Sequence, residues 1–276
     1  CLAILEGGID SMIDVYKNVC GEYGHLTLQK KVIGNMLNLE SLEVFVGTLA
    51  QYENGLLQEK VDKLSQFIED PLLKKHTDHG KLDFNSYKES FYTTKLANCN
   101  KEDLSLQYIE GLNWVINYYK LGIPSWKWYY PYFYAPFLTE LVQCIKNYKY
   151  KKTIDNPINN VVQLMSVLPQ VSHNLLPHPY NKVVMKEMKQ YYPSEFEVDC
   201  SGKRKEWEGI VLVCMVDIDK VEKVFDKYKD NMNDQDKRLC HIDHEYTYKY
   251  KDNATLFKSF YGDIHECNVY KLKINY

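Results

Sequence analysis

Residues Asn100–Phe137 read NKEDLSLQYIEGLNWVINYYKLGIPSWKWYYPYFYAPF, and the two halves of this stretch obey different rules. Asn100 is a good N-cap, because its side-chain oxygen accepts from a free first-turn N–H, and Glu102 and Asp103 sit where the helix dipole favours acids. Ile109, Leu112, Ile116 and Tyr119 then recur at helical spacing, which predicts a helix with one buried stripe, stopped by Gly122 and Pro124. From Ser125 to Pro136 the periodicity is gone and the segment is almost entirely aromatic and proline. Aromatic faces are platforms for unpaired bases, each stacked base contributing about 1–3 kcal/mol, and prolines stiffen such a loop. The same rings serve equally well as filling where two helices meet. Residue types alone leave both uses open, with Trp126 and Trp128 the strongest candidates for stacking.

Upstream, Ile9, Met12, Ile13 and Tyr16 predict an amphipathic helix to about Val19, and Asn38 is placed to cap a second helix carrying Leu39, Leu42, Val46 and Leu49. Lys74, Lys75, His76, Asp78, His79 and Gly80 read as a solvated loop. Downstream, Phe137, Leu141 and Ile145 predict a short helix, and Val161, Leu164, Met165 and Leu168 another that Pro169 ends. After about residue 185 the character changes. The turn Ser201-Gly202-Lys203 precedes Ile210–Val216, an apolar, β-branched run that reads as a buried strand, and Asp217 stands at the start of a helix with Val221, Val224, Phe225 and Tyr228 on one face. Tyr246, Tyr248 and Tyr250, and then Tyr270, Leu272, Ile274 and Tyr276, alternate with polar residues as half-exposed strands do. The fold class is therefore mainly α: a helical domain over 1–185, containing the aromatic loop 122–137, and a small mixed α/β continuation over 186–276.

The chain has 276 residues, is 45% hydrophobic and 26% charged, and carries a formal net charge of −3. That composition excludes a disordered or collagen-like chain, and the mild negative charge argues against a strong global attraction to nucleic acid. No apolar run approaches the roughly 20 residues a membrane-spanning helix requires, so no membrane partner is expected. The cysteines at 1, 20, 99, 144, 200, 214, 240 and 267 are scattered without a C-x-x-C pair, which points to a reducing, intracellular setting. Arg204 and Arg238 are the only arginines beside a large excess of lysine and 24 tyrosines, a bias that A/T-rich codons explain. Cys1 stands where an initiating methionine would be, and no secretory leader is visible, so the chain reads as a piece of something longer.

Gly122–Phe137, GIPSWKWYYPYFYAPF, closely resembles the signature of the Xrn/Rat 5′ to 3′ exoribonucleases, in the second conserved half of their catalytic core. Other blocks follow in the family's order. Glu6-Gly7-Gly8-Ile9-Asp10 is similar to the segment after the last catalytic-half motif, and Tyr108-Ile109-Glu110-Gly111-Leu112-Asn113-Trp114-Val115 to the helix that leads into the tryptophan loop. Gln163–Pro169 with Leu175-Leu176-Pro177 resembles the next block. Tyr192–Asp199, Gly202-Lys203 and Trp207-Glu208-Gly209 resemble the one after it. The resemblance implies a processive nuclease that degrades single-stranded RNA with a 5′ monophosphate, using Mg²⁺ held by clustered acids. In the family those acids, and the pocket that reads the 5′ phosphate, lie in an N-terminal catalytic half that is expected to be missing from this sequence. No catalytic or metal-binding residue is then expected here, and the chain alone is expected to be inactive. The resemblance places RNA stacking or gating on Trp126 and Trp128 jointly. Two departures stand out: Phe133 replaces a usual histidine, removing a polar contact beneath the loop, and Val213-Cys214-Met215 replaces Leu-Pro-Phe. Pro124 before Ser125-Trp126 and the Glu6–Asp10 start lean toward the nuclear type of the family rather than the cytoplasmic one.

Around this core, Tyr129 and Tyr130 are further possible RNA contacts. Lys149 and Lys151, in a run with Lys146, Lys152, Tyr148 and Tyr150, either touch RNA phosphates or form a solvated linker. Cys240-His241 with His244 has metal-ligand spacing but no evident fourth ligand, and Asp217 and Asp219 are explained by a helix start. The competing function is a non-catalytic relic of the family that binds RNA or a protein through the aromatic loop.

Overall fold

The computed structural model describes residues 8–63, 69–97, 99–153, 155–203, 205–240, 246–250, 256–259 and 262–273. The described chain is mainly helical, as the residue pattern predicts. Its elements are α1 (Gly8–Tyr23), α2 (Leu39–Lys63), α3 (Pro71–Lys75), β1 (Thr77–Asp78), β2 (Lys81–Leu82), α4 (Phe84–Lys95), α5 (Lys101–Leu121), α6 (Leu138–Cys144), α7 (Asn160–Val167), α8 (Tyr180–Glu187), β3 (Glu197–Asp199), β4 (Ile210–Leu212), α9 (Ile218–Tyr228), α10 (Asp234–Leu239), β5 (Tyr246–Tyr250), β6 (Leu256–Ser259) and β7 (Gly262–Lys273). They fall into two compact units, Cys1–Ile158 with Met188–Ile218 and Asn159–Glu187 with Asp219–Tyr276.

The first unit is built on α2 and α5. Asn38 begins α2 as expected, its Oδ1 accepting from Ser41 N, and Leu42 and Val46 join Ile109 of α5 and Leu141 and Ile145 of the α6 end in one buried cluster. A second cluster joins Leu73, Leu82, Tyr87, Tyr92 and Leu104 to Phe137, which closes the aromatic loop. Phe137 caps α6 without a side-chain bond. The free N–H groups of Leu138 and Thr139 donate instead to the buried carboxylate of Glu53 on α2, at 2.8 and 3.3 Å. That contact satisfies a helix start which would otherwise be orphaned inside the fold. On α5, Asn113 and Asn117 are fully buried. Their amides bracket Gly34 and Met36: Met36 N donates to Asn113 Oδ1 at 2.8 Å, Gly34 N to Asn117 Oδ1 at 3.1 Å, and both side chains donate back to Gly34 O.

Four expectations change. On α1 the buried line is Val15 and Val19 against Leu49, while Ile9 and Ile13 are exposed, because the helix is rotated so that its valines, not its isoleucines, meet α2. Residues 74–80 are not a plain loop: Asp70 Oδ1 caps α3 by accepting from Leu73 N, and a hairpin pairs Thr77 with Leu82, closed by Gly80 at φ 78°. Tyr119 is 80% exposed and leaves the stripe of α5. Ile210–Val216 is not a buried strand. Only β4 pairs, antiparallel with β3 in the register Val198↔Val211, and Val211, Val213 and Cys214 are exposed at this two-stranded ribbon. Helix α4, capped by Asp83 through Ser86 N, has no counterpart in the periodicity reading.

In the second unit Tyr180 of α8 is completely buried. Its ring stacks on Phe225 of α9 at 5.4 Å and 17°, and its hydroxyl donates to Phe225 O at 2.8 Å. β5, β7 and β6 form an antiparallel sheet in that order, with Tyr246 opposite Lys273 and Tyr250 opposite Val269. Tyr246, Tyr248 and Tyr250 fall in β5, and Tyr270 and Leu272 in β7, which begins earlier than expected, at Gly262; Ile274 and Tyr276 lie outside the described residues.

Candidate nucleic-acid interface

The tryptophan loop starts where α5 runs out. The Asn100 side chain caps α5 by accepting from Glu102 N and Asp103 N at 2.9 and 3.0 Å. Gly122 ends the helix at φ 108°, a conformation that side chains resist. Ser125 then turns inward, and its carbonyl accepts the indole N–H of Trp114 at 3.1 Å. Its hydroxyl donates to Asp155 Oδ2 at 2.5 Å and accepts from Trp128 N at 3.0 Å. The Asp155 carboxylate also accepts from Trp126 N at 2.8 Å and Lys127 N at 3.2 Å. Burial pushes the Asp155 carboxyl upward, but these donors and the Lys127 charge outweigh it and hold it below the usual carboxylate value.

The two tryptophans are placed differently. Trp128 is half-buried on α5: its ring stacks with Trp114 at 6.3 Å and 28°, and its indole N–H donates to Gln107 Oε1 at 3.3 Å. It lies so close over Gly111 that a Cβ there would stand 3.1 Å from Trp128 Cη2. Trp114 also stacks with Tyr118, at 5.3 Å and 10°. Trp126 is 39% exposed, and its backbone, not its ring, makes the loop's fixed contact.

Beyond the tryptophans the tyrosines anchor the loop by their hydroxyls. Tyr129, 42% exposed, donates to Val216 O at 3.0 Å. Tyr130 donates to Tyr134 O at 2.8 Å, and its ring meets Tyr108 and Tyr132. Tyr132 donates to Asp103 and Tyr134 to Asp199, both at 2.5 Å. Burial raises the phenols of Tyr130, Tyr132 and Tyr134 well above their ordinary value, so they remain donors throughout the physiological range.

Asp199 is the hub at the end of the loop. It takes Lys95 Nζ at 2.6 Å as well as Tyr134, and Ser201 N donates to its Oδ1 at 3.0 Å. Burial of Asp199 works upward, and its hydrogen bonds from Lys95, Ser201 and Tyr134 pull it far below the carboxylate range.

Lys149 and Lys151 are exposed on the segment between Tyr148, whose hydroxyl donates to Glu110 of α5 at 2.6 Å, and Asp155 at the loop. The structure thus brings Trp126, Tyr129 and the loop's supports together, whereas Trp128 and Tyr130 are committed inward. Sequence reasoning missed Asp155, Gly111 and the Lys95–Asp199 pair. Among the described residues, no group of three or more His, Cys, Asp or Glu side chains converges as metal ligands. Cys240 is described and carries a free thiol, while His241 and His244 lie outside the described residues. Among the described residues, no helix is long and apolar enough to cross a membrane.

The family model described as the Xrn1 helical domain matches residues 69–275. A 5'-3' exoribonuclease 2 of Debaryomyces hansenii is 32% identical over 204 residues, covering 69% of this chain and 20% of that protein. A 5'-3' exoribonuclease 2 homolog of Drosophila melanogaster is 31% identical, covering 85% of this chain and 33% of its own length. The human 5'-3' exoribonuclease 1 is 36% identical over 143 residues, or 49% of this chain and 8% of that protein. The chain therefore spans a third or less of the length of these relatives.

Proposed function

The chain belongs to the family of the Xrn1 helical domain, and from that premise we propose that it serves as the helical part of a 5′ to 3′ exoribonuclease acting on single-stranded RNA with a 5′ monophosphate. Its own contribution is to stack bases, not to cut phosphodiesters. The observation that carries this reading is the split between the tryptophans: Trp128 is spent on α5, while Trp126 offers an open ring from a backbone held at both ends of the turn. A stacking platform needs an accessible face and little freedom to lose on binding. Tyr129 extends the platform beside it, Tyr130 supports the loop from beneath, and Lys149 and Lys151 meet the phosphates. Two-metal hydrolysis needs several carboxylates about 4 Å from shared ions. In this reading Mg²⁺ is held by the part of the enzyme that the relatives carry beyond the matched region.

The test is equilibrium binding of a fluorescent single-stranded oligoadenylate to the 276-residue chain. Trp126→Ala is expected to weaken binding by about tenfold, the lower part of the stacking range, and Trp126→Phe to retain most of it. Unchanged affinity in Trp126→Ala would show that the ring does not stack RNA.

A further inference from the structure

Asp155 lies 28 to 30 residues beyond Ser125, Trp126 and Lys127, the turn it holds. Its two carboxylate oxygens take three donors from three consecutive residues: the Ser125 hydroxyl, Trp126 N and Lys127 N. The Ser125 oxygen that donates to Asp155 also accepts from Trp128 N, and the Ser125 carbonyl is held by Trp114 on α5. The turn is thus fixed to α5 on one side and to the 148–155 segment on the other. That segment is itself fixed at its far end, where the buried Tyr148 donates to Glu110 of α5. Between its two anchors it displays Lys149, Lys151 and Lys152 to solvent. A cation row and an open aromatic ring are therefore coupled through one carboxylate.

We infer that Asp155 is a positioning residue for RNA: it fixes the turn from which Trp126 projects and ties that turn to the lysine-bearing segment, so that ring and cations meet one strand in a set register. The inference rests on the reading that Trp126 stacks RNA. Asp155 touches no base itself. It acts by removing the freedom of the Trp126 backbone before binding, and preorganisation of this kind shows up as affinity. The carboxyl's pKa, held below the usual carboxylate value despite burial, agrees with an anion that is fully occupied by donors.

The experiment uses the full chain labelled with fluorotryptophan, whose 4 tryptophans give separate ¹⁹F resonances, that of Trp126 being identified by its loss in Trp126→Phe. Asp155→Asn keeps the size of the side chain but replaces one accepting oxygen with an NH2 group, which donates and cannot accept. It is expected to move or broaden the Trp126 resonance while leaving that of Trp207 in place, and to weaken oligoadenylate binding by about fivefold within the stacking range. Asp155→Glu, which restores the second oxygen, is expected to recover part of that loss. The double variant Trp126→Ala/Asp155→Asn is expected to bind no more weakly than Trp126→Ala alone, because Asp155 acts through the ring. Losses that add in the double variant, or an Asp155→Asn chain with the Trp126 resonance and affinity unaltered, overturn the inference while leaving the stacking reading intact. If Trp126→Ala itself binds normally, the stacking reading falls and the inference with it. Should Asp155→Asn fail to fold, Ser125→Ala removes one of the three donors and passes through the same cycle under the same criteria.

Discussion

Asp199→Ala is expected to lower the free energy of unfolding by about 3 kcal/mol, the cost of leaving one member of a mostly buried ion pair alone. Lys95 and Asp199 have side chains 22% and 9% exposed and meet at 2.6 Å. Without the carboxylate, the Lys95 ammonium keeps, among the described residues, Ser201 Oγ at 3.0 Å and the face of Tyr134 at 5.9 Å. The Tyr134 hydroxyl also loses its acceptor, and β3 loses its tie to α4. The effect carries a pH signature. Asp199 is depressed in the folded state, so its contribution is complete above the unfolded carboxylate value of about 3.9 and is lost as pH falls through the lower folded value. Urea titrations of the unaltered chain and of Asp199→Asn should therefore differ most near neutrality and converge in acid. A gap that stays constant down to acid pH would remove the ion pair from the account.

Trp128→Ala is expected to cost about 3 kcal/mol as well, at the lower end for a large aromatic side chain because the ring is half-buried. The ring fills the space over Gly111, stacks on Trp114 and donates to Gln107, and none of these contacts can be remade by a methyl group. Trp126→Ala, by contrast, removes a ring that is 39% exposed and should change stability by less than about 0.5 kcal/mol. The pair separates anchor from platform. Denaturant midpoints should fall for Trp128→Ala and stay for Trp126→Ala. Equal losses would mean that both rings are simply core.

How much of this was legible in the sequence depends on distance along the chain. Asn100, Gly122 and the acids at 102 and 103 act within a turn of their targets, so the limits of α5 follow from local chemistry. The resemblance of Gly122–Phe137 to a nuclease signature located the aromatic loop and the family, but not which tryptophan is open. That choice is made by Gly111, whose missing side chain admits Trp128 from 17 residues further along the chain. Periodicity misled where tertiary contacts choose the face: α1 buries Val15 and Val19 instead of Ile9 and Ile13. Hydrophobic run length misled at Ile210–Val216, because β4 has one partner strand, β3, and Val211 and Val213 stay exposed. Asp155 and the Lys95–Asp199 pair had no local signal. Their partners lie about 30 and 104 residues away, and a lone acid in a lysine-rich segment looks like any other surface charge.

The central claim is that this chain holds RNA without cutting it. The most direct measurement is incubation of the purified chain with 5′-monophosphorylated single-stranded RNA and Mg²⁺, following both mobility shift and product length on the same samples. The account predicts a complex that weakens in Trp126→Ala and RNA that keeps its full length. Progressive shortening from the 5′ end, abolished by EDTA, would contradict it.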